Sequence, residues 1–168
     1  WELKSALAGM AVVTKFISGT ENHGAPKGAV SALRRQVELA VRGSHHRDRC
    51  AETLFTVVLK GDRVDPGQAM AIKAFQNIIR ILQKRAGVWQ TFQSIWEQRD
   101  KWTLLPIAKG PVQHLAYLMK RWNWQWEHPF SIRRPDGRPV HLMQDSNSWI
   151  CDQVREALRD EQIRHLRN

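Results

Sequence analysis

"RVDPGQAMAIKAFQNIIRILQKRAG", residues 63–87, is the stretch whose reading decides the fold. Asp65 can accept from the free N–H groups of a helix start, and Pro66 suits the first helical position, where its missing N–H is not needed. Ala69, Ile72, Phe75, Ile78, Ile79 and Leu82 then recur at helical spacing and form a wide apolar stripe. Lys73, Asn77, Arg80 and Lys84 recur at i, i+4, i+7 and i+11 on the other face. Lys84 and Arg85 suit the negative end of the helix dipole, and Gly87 ends the helix.

Working outward from this helix, residues 2–17 predict a first helix, which ends before the loop "SGTENHGAPKG" (18–28) with its clustered Gly, Asn and Pro. From Ala29, the residues Val30, Leu33, Val37, Ala40 and Val41 follow helical spacing, and Arg34, Arg35 and Arg42 point away from them. "RGSHHRD" (42–48) breaks that pattern; Ala51, Leu54, Phe55 and Val58 predict a short helix stopped at Lys60-Gly61. On the C-terminal side, Trp89, Phe92, Ile95 and Trp96 predict a short amphipathic helix. Pro111 opens another helix, with Val112, Leu115, Ala116, Met119 and Trp122 inward.

The period then changes to two. Trp124, Trp126, Pro129, Phe130 and Ile132 lead into the turn "RRPDGRP" (133–139), and Val140, Leu142 and Met143 return from it. Residues 124–143 therefore predict a two-stranded hairpin, which must pack on helices because a lone hairpin is marginal in water. Trp122, Trp124 and Trp126 are expected to hold that packing rather than to stack bases, since only Lys120-Arg121 supplies cations beside them. "DSNS" (145–148) offers N-caps for a last helix with Ile150, Val154, Ala157 and Leu158 inward.

The expected fold is mainly α: six to seven helices packed in one domain with a single small β-hairpin. Within that domain, residues 1–46 form N-terminal helices and a loop, 47–160 a helical region carrying the hairpin, and 161–168 a charged helical tail. A start at Trp1 and an end on a charged helical run lead us to expect a piece of a longer polypeptide.

Charge is the first guide to function. Twenty-six Lys and Arg stand against 16 Asp and Glu, for a net charge of +10. Such a surface attracts polyanions. Between Pro66 and Trp126 the imbalance sharpens: nine basic residues face only Glu97 and Asp100. Phosphate contacts call for this pattern of long cationic side chains held on rigid helices. The candidate contact residues are Lys73, Arg80, Lys84, Arg85, Lys109, Lys120 and Arg121, with Arg133 and Arg134 at the hairpin turn. The helix start at Lys109-Gly110-Pro111 could also receive a phosphate on its N–H groups.

No catalytic constellation is visible. His45, His46 and Cys50 in "HHRDRC" could ligate a metal, but no second Cys/His cluster completes four ligands. The "HRD" lacks every other kinase signature. The carboxylates are scattered and suit caps and ion pairs, so neither a catalytic residue nor a cofactor is expected in this segment. Cys50 and Cys151 are lone thiols, which suits reduced, buried cysteines in an intracellular protein. The apolar run "ALAGMAVV" (6–13) is too short to span a membrane, and no membrane partner is expected.

Three phrases together resemble a known family: "RCAETLFTVVLKGDRVDPGQAMAIKAFQNIIRIL" (49–82), "AKGPVQHLAYLMKRWNWQW" (108–126) and "SWICDQVREALRD" (148–160). The block from Leu54 to Pro66, the Gly-Pro helix running from Gly110 to Trp126, and the final helix with Arg155, Leu158 and Arg159 carry the likeness. They are similar to the region downstream of the polymerase core in LINE-type (non-long-terminal-repeat) retrotransposon reverse transcriptases of protists. The likeness covers about residues 47–160 and leaves 1–46 unmatched. It implies a thumb-like or connector segment that helps to hold template and primer, or target DNA, in a nuclear RNA-directed DNA polymerase whose active site lies outside this stretch. The paired aspartates of such a polymerase are absent, so no catalytic residue is carried over. The rival expectation is a helical interaction module that docks an acidic partner or the upstream polymerase core.

Overall fold

The computed structural model describes Lys4, residues 13–20, 22–42, 54–55 and 64–167. Six α-helices lie within the described residues: α1 (Thr14–Thr20), α2 (Lys27–Arg42), α3 (Pro66–Lys84), α4 (Trp89–Glu97), α5 (Pro111–Arg121) and α6 (Asn147–Arg167). A three-stranded antiparallel sheet of order β1-β2-β3 sits between α5 and α6, built from β1 (Gln125–His128), β2 (Ser131–Arg133) and β3 (Pro139–His141). The mainly helical class with one small antiparallel unit is as the sequence leads one to expect.

Helix α3 is the centre of the molecule. Asp65 caps it through a 2.9 Å bond from the Gly67 N–H, and Pro66 begins it. Its stripe is buried as the spacing requires, with Phe75 and Ile79 at zero exposure. On one side it meets α5, α6 and the sheet in a core that includes Leu115, Leu118, Met119, Trp122, Ile132 and Val154. On the other side Ala69 joins Val37, Val41, Leu54, Phe55 and Val64 in a second apolar cluster, which seats α1 and α2. The helix ends at Lys84, three residues before Gly87, where Arg85 turns out of the helical conformation (φ −133°, ψ 86°). The Arg85 N–H bonds Ile81 O at 2.9 Å and the Trp89 indole bonds Leu82 O at 2.7 Å.

Two expectations need correction. The loop expected at 18–28 is shorter, because α1 continues to Thr20. The Thr20 hydroxyl bonds back to Phe16 O and Ile17 O, and Gly24, at φ +74°, closes the end by donating to Thr20 O at 2.7 Å. The expected two-stranded hairpin is a three-stranded meander. Pro129 has no N–H to continue a ladder, so the first expected strand folds at Pro129-Phe130 into β1 and β2. The expected turn at 133–139 holds its place, closed by Arg134 N to Arg138 O at 3.0 Å and by Gly137 at φ +84°. The last helix, α6, runs on through the charged tail to Arg167 and is capped at its start by Ser146 Oγ accepting from the Trp149 N–H. The short helix expected around 51–58 and the "HHRDRC" stretch lie outside the described residues, apart from Leu54 and Phe55, which are both buried.

The tryptophan-rich segment has a local cause. Asn123 sits in the left-handed region at φ +57°, donates to Lys120 O, and lets the Trp124 N–H reach Met119 O at 2.9 Å. This is the helix-ending geometry that Asn tolerates better than most residues. Reversing the chain there turns both neighbours inward. Trp122 stacks on Phe75 (5.7 Å, 27°), and Trp124 meets the same ring edge-on (6.1 Å, 74°). Trp126 packs against Phe92 and Trp96, joining β1 to α4. Packing is thus the role of Trp122 and Trp124, which are 2% and 5% exposed.

Candidate nucleic-acid interface

The nine candidate cations fall into three environments. Lys73, Arg80, Lys84 and Arg85 are exposed on α3 and just beyond it, and Lys109 and Lys120 are exposed at the two ends of α5. Among the described residues none of these six forms an ion pair. Lys73, Arg80 and Lys84 follow one another along the solvent side of α3 over about 16 Å, at 1.5 Å of rise per residue.

Arg121 and Arg133 are exposed but paired. Arg121 grips Glu161 of α6 through Nε (3.0 Å) and Nη2 (2.6 Å), and Arg133 meets Glu127 across the sheet at 3.2 Å. An exposed pair of the second kind contributes little to stability and can open to a phosphate. Arg134 belongs to a third environment. It is 7% exposed, bonds Gln153 of α6, and lies 2.9 Å from Glu156 and 3.6 Å from Asp136. Its guanidinium fastens the hairpin turn to α6 and is not presented to solvent.

Lys120 and Arg121 are adjacent in sequence but diverge. Lys120 lines an open groove of about 330 Å³ with Arg99, Asp100, Trp102, Asn123 and Trp126, and Asp100 lies 3.8 Å from Arg99 Nε as a loose, exposed ion pair. Arg99 lies over the Trp96 ring at 3.7 Å, a close cation–π contact that fixes the guanidinium at the groove. Trp102 and Trp126 are only partly buried there. Half-open rings beside two cations are the physical ingredients of a stacking slot for an unpaired base. Sequence reading assigned Trp126 to packing, gave Trp102 no role and left Arg99 out of the site. The signal was present in the run from Trp96 to Trp102, where two Trp flank two basic residues.

The start of α5 is less open to phosphate than its Gly-Pro sequence suggests. The Lys109 N–H is taken by Gln113 Oε1 at 2.6 Å, and Pro111 has none. Next to this start lies an apolar surface, where Leu105 is 54% and Ile107 56% exposed, flanked by Lys101 and Lys109.

Among the described residues no cluster of three or more His, Cys, Asp or Glu is placed to hold a metal, and no helix is long and apolar enough to cross a membrane. Cys151 is a free thiol, 2% exposed, and burial raises its pKa. Comparison with protein-family models, with curated proteins and with solved structures returned no match to this chain.

Proposed function

We propose that the chain is a non-catalytic nucleic-acid-binding segment of a LINE-type retrotransposon reverse transcriptase, holding template and primer, or target strands, through phosphate contacts. The observation that carries the binding reading is the unmixed cationic surface of α3 and α5. Lys73, Arg80, Lys84, Lys109 and Lys120 are all exposed and without an ion-pair partner among the described residues. Cations held on rigid helices with no competing carboxylate bind phosphates with a gain from counterion release and read no sequence. The groove of Arg99, Lys120, Trp102 and Trp126, with Asp100 loosely paired to Arg99, adds room for a base, which favours single strands or strand junctions over uniform duplex. The family part of the reading rests on the resemblance of residues 47–160, and nuclear localisation follows from it.

Anisotropy titrations with a labelled single-stranded oligonucleotide test the proposal. Between about 50 and 200 mM salt, affinity should fall by two or more orders of magnitude if the cations above contact phosphates. Absence of binding, or binding indifferent to salt, overturns it.

A second reading has its own observation. Exposed Ile95, Leu105 and Ile107 beside Lys101 and Lys109 suit an acidic, amphipathic protein partner such as a surface of the upstream polymerase core. Failure to bind nucleic acid, together with complex formation by that core, would select this reading.

A further inference from the structure

The groove beside Lys120 gathers polar groups that the fold leaves unspent. Other exposed acids bond a nearby base: Asp136 meets Arg138 at 2.7 Å, Asp152 meets Arg155 at 2.7 Å, and Glu127 meets Arg133 at 3.2 Å. Asp100 has a basic residue on either side, Arg99 and Lys101, and bonds neither. Its carboxylate stays 3.8 Å from Arg99 Nε, too far for a hydrogen bond, and its side chain is 83% exposed. Both oxygens are therefore open to an outside donor. The Arg99 guanidinium is held over the Trp96 ring, and neither it, the Lys120 ammonium nor the Asn123 side-chain amide makes a hydrogen bond among the described residues.

Aromatic surface lies beside these groups. Trp126 is fixed by Phe92 and Trp96, and its indole N–H is spent on Pro129 O at 3.1 Å, so it offers the groove ring surface rather than a donor. Trp102 is half-buried in the same lining, and Leu104 and Met119 add apolar contact. A groove of about 330 Å³ is at the small end of ligand sites and suits one flat ring system.

Among the nucleobases, a carboxylate flanked by cations matches guanine. The Watson–Crick edge of guanine carries two neighbouring N–H donors, on N1 and N2, which meet the two oxygens of a carboxylate side by side, and the adjacent O6 accepts from a cation. Adenine and cytosine place a ring acceptor next to their single amino group, and that lone pair is repelled by a carboxylate. Thymine and uracil offer one N–H between two carbonyls, with the same conflict.

We propose that this groove is a stacking slot for one unpaired guanine, with Trp102 and Trp126 against the ring, Asp100 accepting from N1–H and N2–H, and Lys120 and Arg99 supplying donors to O6. The proposal rests on the nucleic-acid reading above and deepens it. The cations of α3 hold any strand by its phosphates, and the groove selects the base that is seated.

The test uses the intact chain and labelled oligothymidylates of one length, in which a single central thymine is kept or replaced by guanine, hypoxanthine, adenine or cytosine. Anisotropy titrations at fixed salt read the affinities. One guanine should tighten binding by roughly fivefold over plain oligothymidylate, the low end of discrimination by a bidentate pair, as suits an exposed carboxylate. Hypoxanthine, which keeps O6 and N1–H but lacks the 2-amino donor, should lose most of that gain, and adenine and cytosine should show none. Asp100→Asn alters a side chain that bonds nothing in the fold, so the variant keeps its melting temperature. It should erase the guanine preference without weakening the binding of plain oligothymidylate. Equal affinity for all the strands, with a steep salt dependence, overturns the slot and leaves the phosphate reading standing. A guanine preference that survives Asp100→Asn overturns the assignment to this groove. If no strand binds, the nucleic-acid reading fails and the slot fails with it.

Discussion

Removing the Asp65 carboxylate should separate two kinds of stabilisation that meet at one residue. Asp65 is fully buried and accepts from the Gly67 N–H at 2.9 Å, from Arg34 Nε at 3.0 Å to each oxygen, from Arg34 Nη2, and from Gln68 and Gln162 at 3.4 and 3.5 Å. The first bond caps α3; those from Arg34 and Gln162 tie its start to α2 and to the end of α6. In Asp65→Asn the amide oxygen still caps, but the charge is lost. Breaking a fully buried pair costs about 3–5 kcal/mol, and Arg34, whose side chain is 27% exposed, recovers part of that by turning to water, which leaves about 2 kcal/mol. Asp65→Ala loses the cap as well, adding about 1 kcal/mol for a total near 3. For a chain of this size, that total lowers the melting temperature by roughly 10 °C. Urea denaturation followed by tryptophan fluorescence measures both variants. A double-mutant cycle with Arg34→Ala should give a coupling above about 1 kcal/mol. Equal losses for Asn and Ala, or a coupling near zero, would refute the division into cap and ion pair.

The remaining predictions concern residues around α5 and the hairpin. Gly24→Ala should destabilise by more than about 1 kcal/mol in thermal melts, because φ is +74° and the new Cβ would stand 2.1 Å from Pro106 O. His114, 1% exposed on the inward side of α5, makes stability depend on pH: burial first, then the charges of Arg121 and His23, lower its pKa to about 4. The unfolded chain takes up its proton near pH 6.5 and the folded chain only near 4, so stability falls as pH drops through that window. The loss reaches about 3 kcal/mol at most, and it should vanish in His114→Gln when the two chains are compared by denaturation at pH 7 and pH 5. Arg134→Ala should lower stability by about 2 kcal/mol, through the unpaired groups it leaves. The neighbouring Arg133→Ala should change stability by less than about 0.5 kcal/mol and show its effect only in binding titrations.

Helix α3 was readable because local and tertiary demands agree along it. Asp65, Pro66 and the apolar stripe each specify the same helix in the same register, and the structure buries that stripe throughout. The sheet was only half readable. Alternation at Trp124 and Trp126 signalled extended chain, but the period continues through Pro129, and only the missing N–H there marks the fold-back into β2. The inward position of Trp122 and Trp124 depends on the left-handed Asn123, for which the sequence signal was an Asn just past the last helical residue. Among the candidate cations, sequence spacing found the exposed row on α3. It could not separate Arg133 from Arg134, since adjacent residues meet different partners and only α6 decides which one is buried. His114 escaped notice because α5 buries a wider stripe than Val112, Leu115 and Met119 define, taking in His114 and Leu118 as well. Nothing in a single helix's pattern reports the groove that residues 99–104, α5 and β1 line together.

The most direct test of phosphate binding by the helical surface is the salt dependence of affinity for single-stranded nucleic acid, in the wild-type chain and in Lys73→Ala/Arg80→Ala/Lys84→Ala. These three side chains are exposed and take no part in the core, so the variant should retain its melting temperature. With these three cations removed, the slope of log affinity against log salt should fall in magnitude by about 2 units, at about 0.7 per phosphate neutralised on a single strand. An unchanged slope in a folded triple variant would contradict phosphate binding by this face of α3.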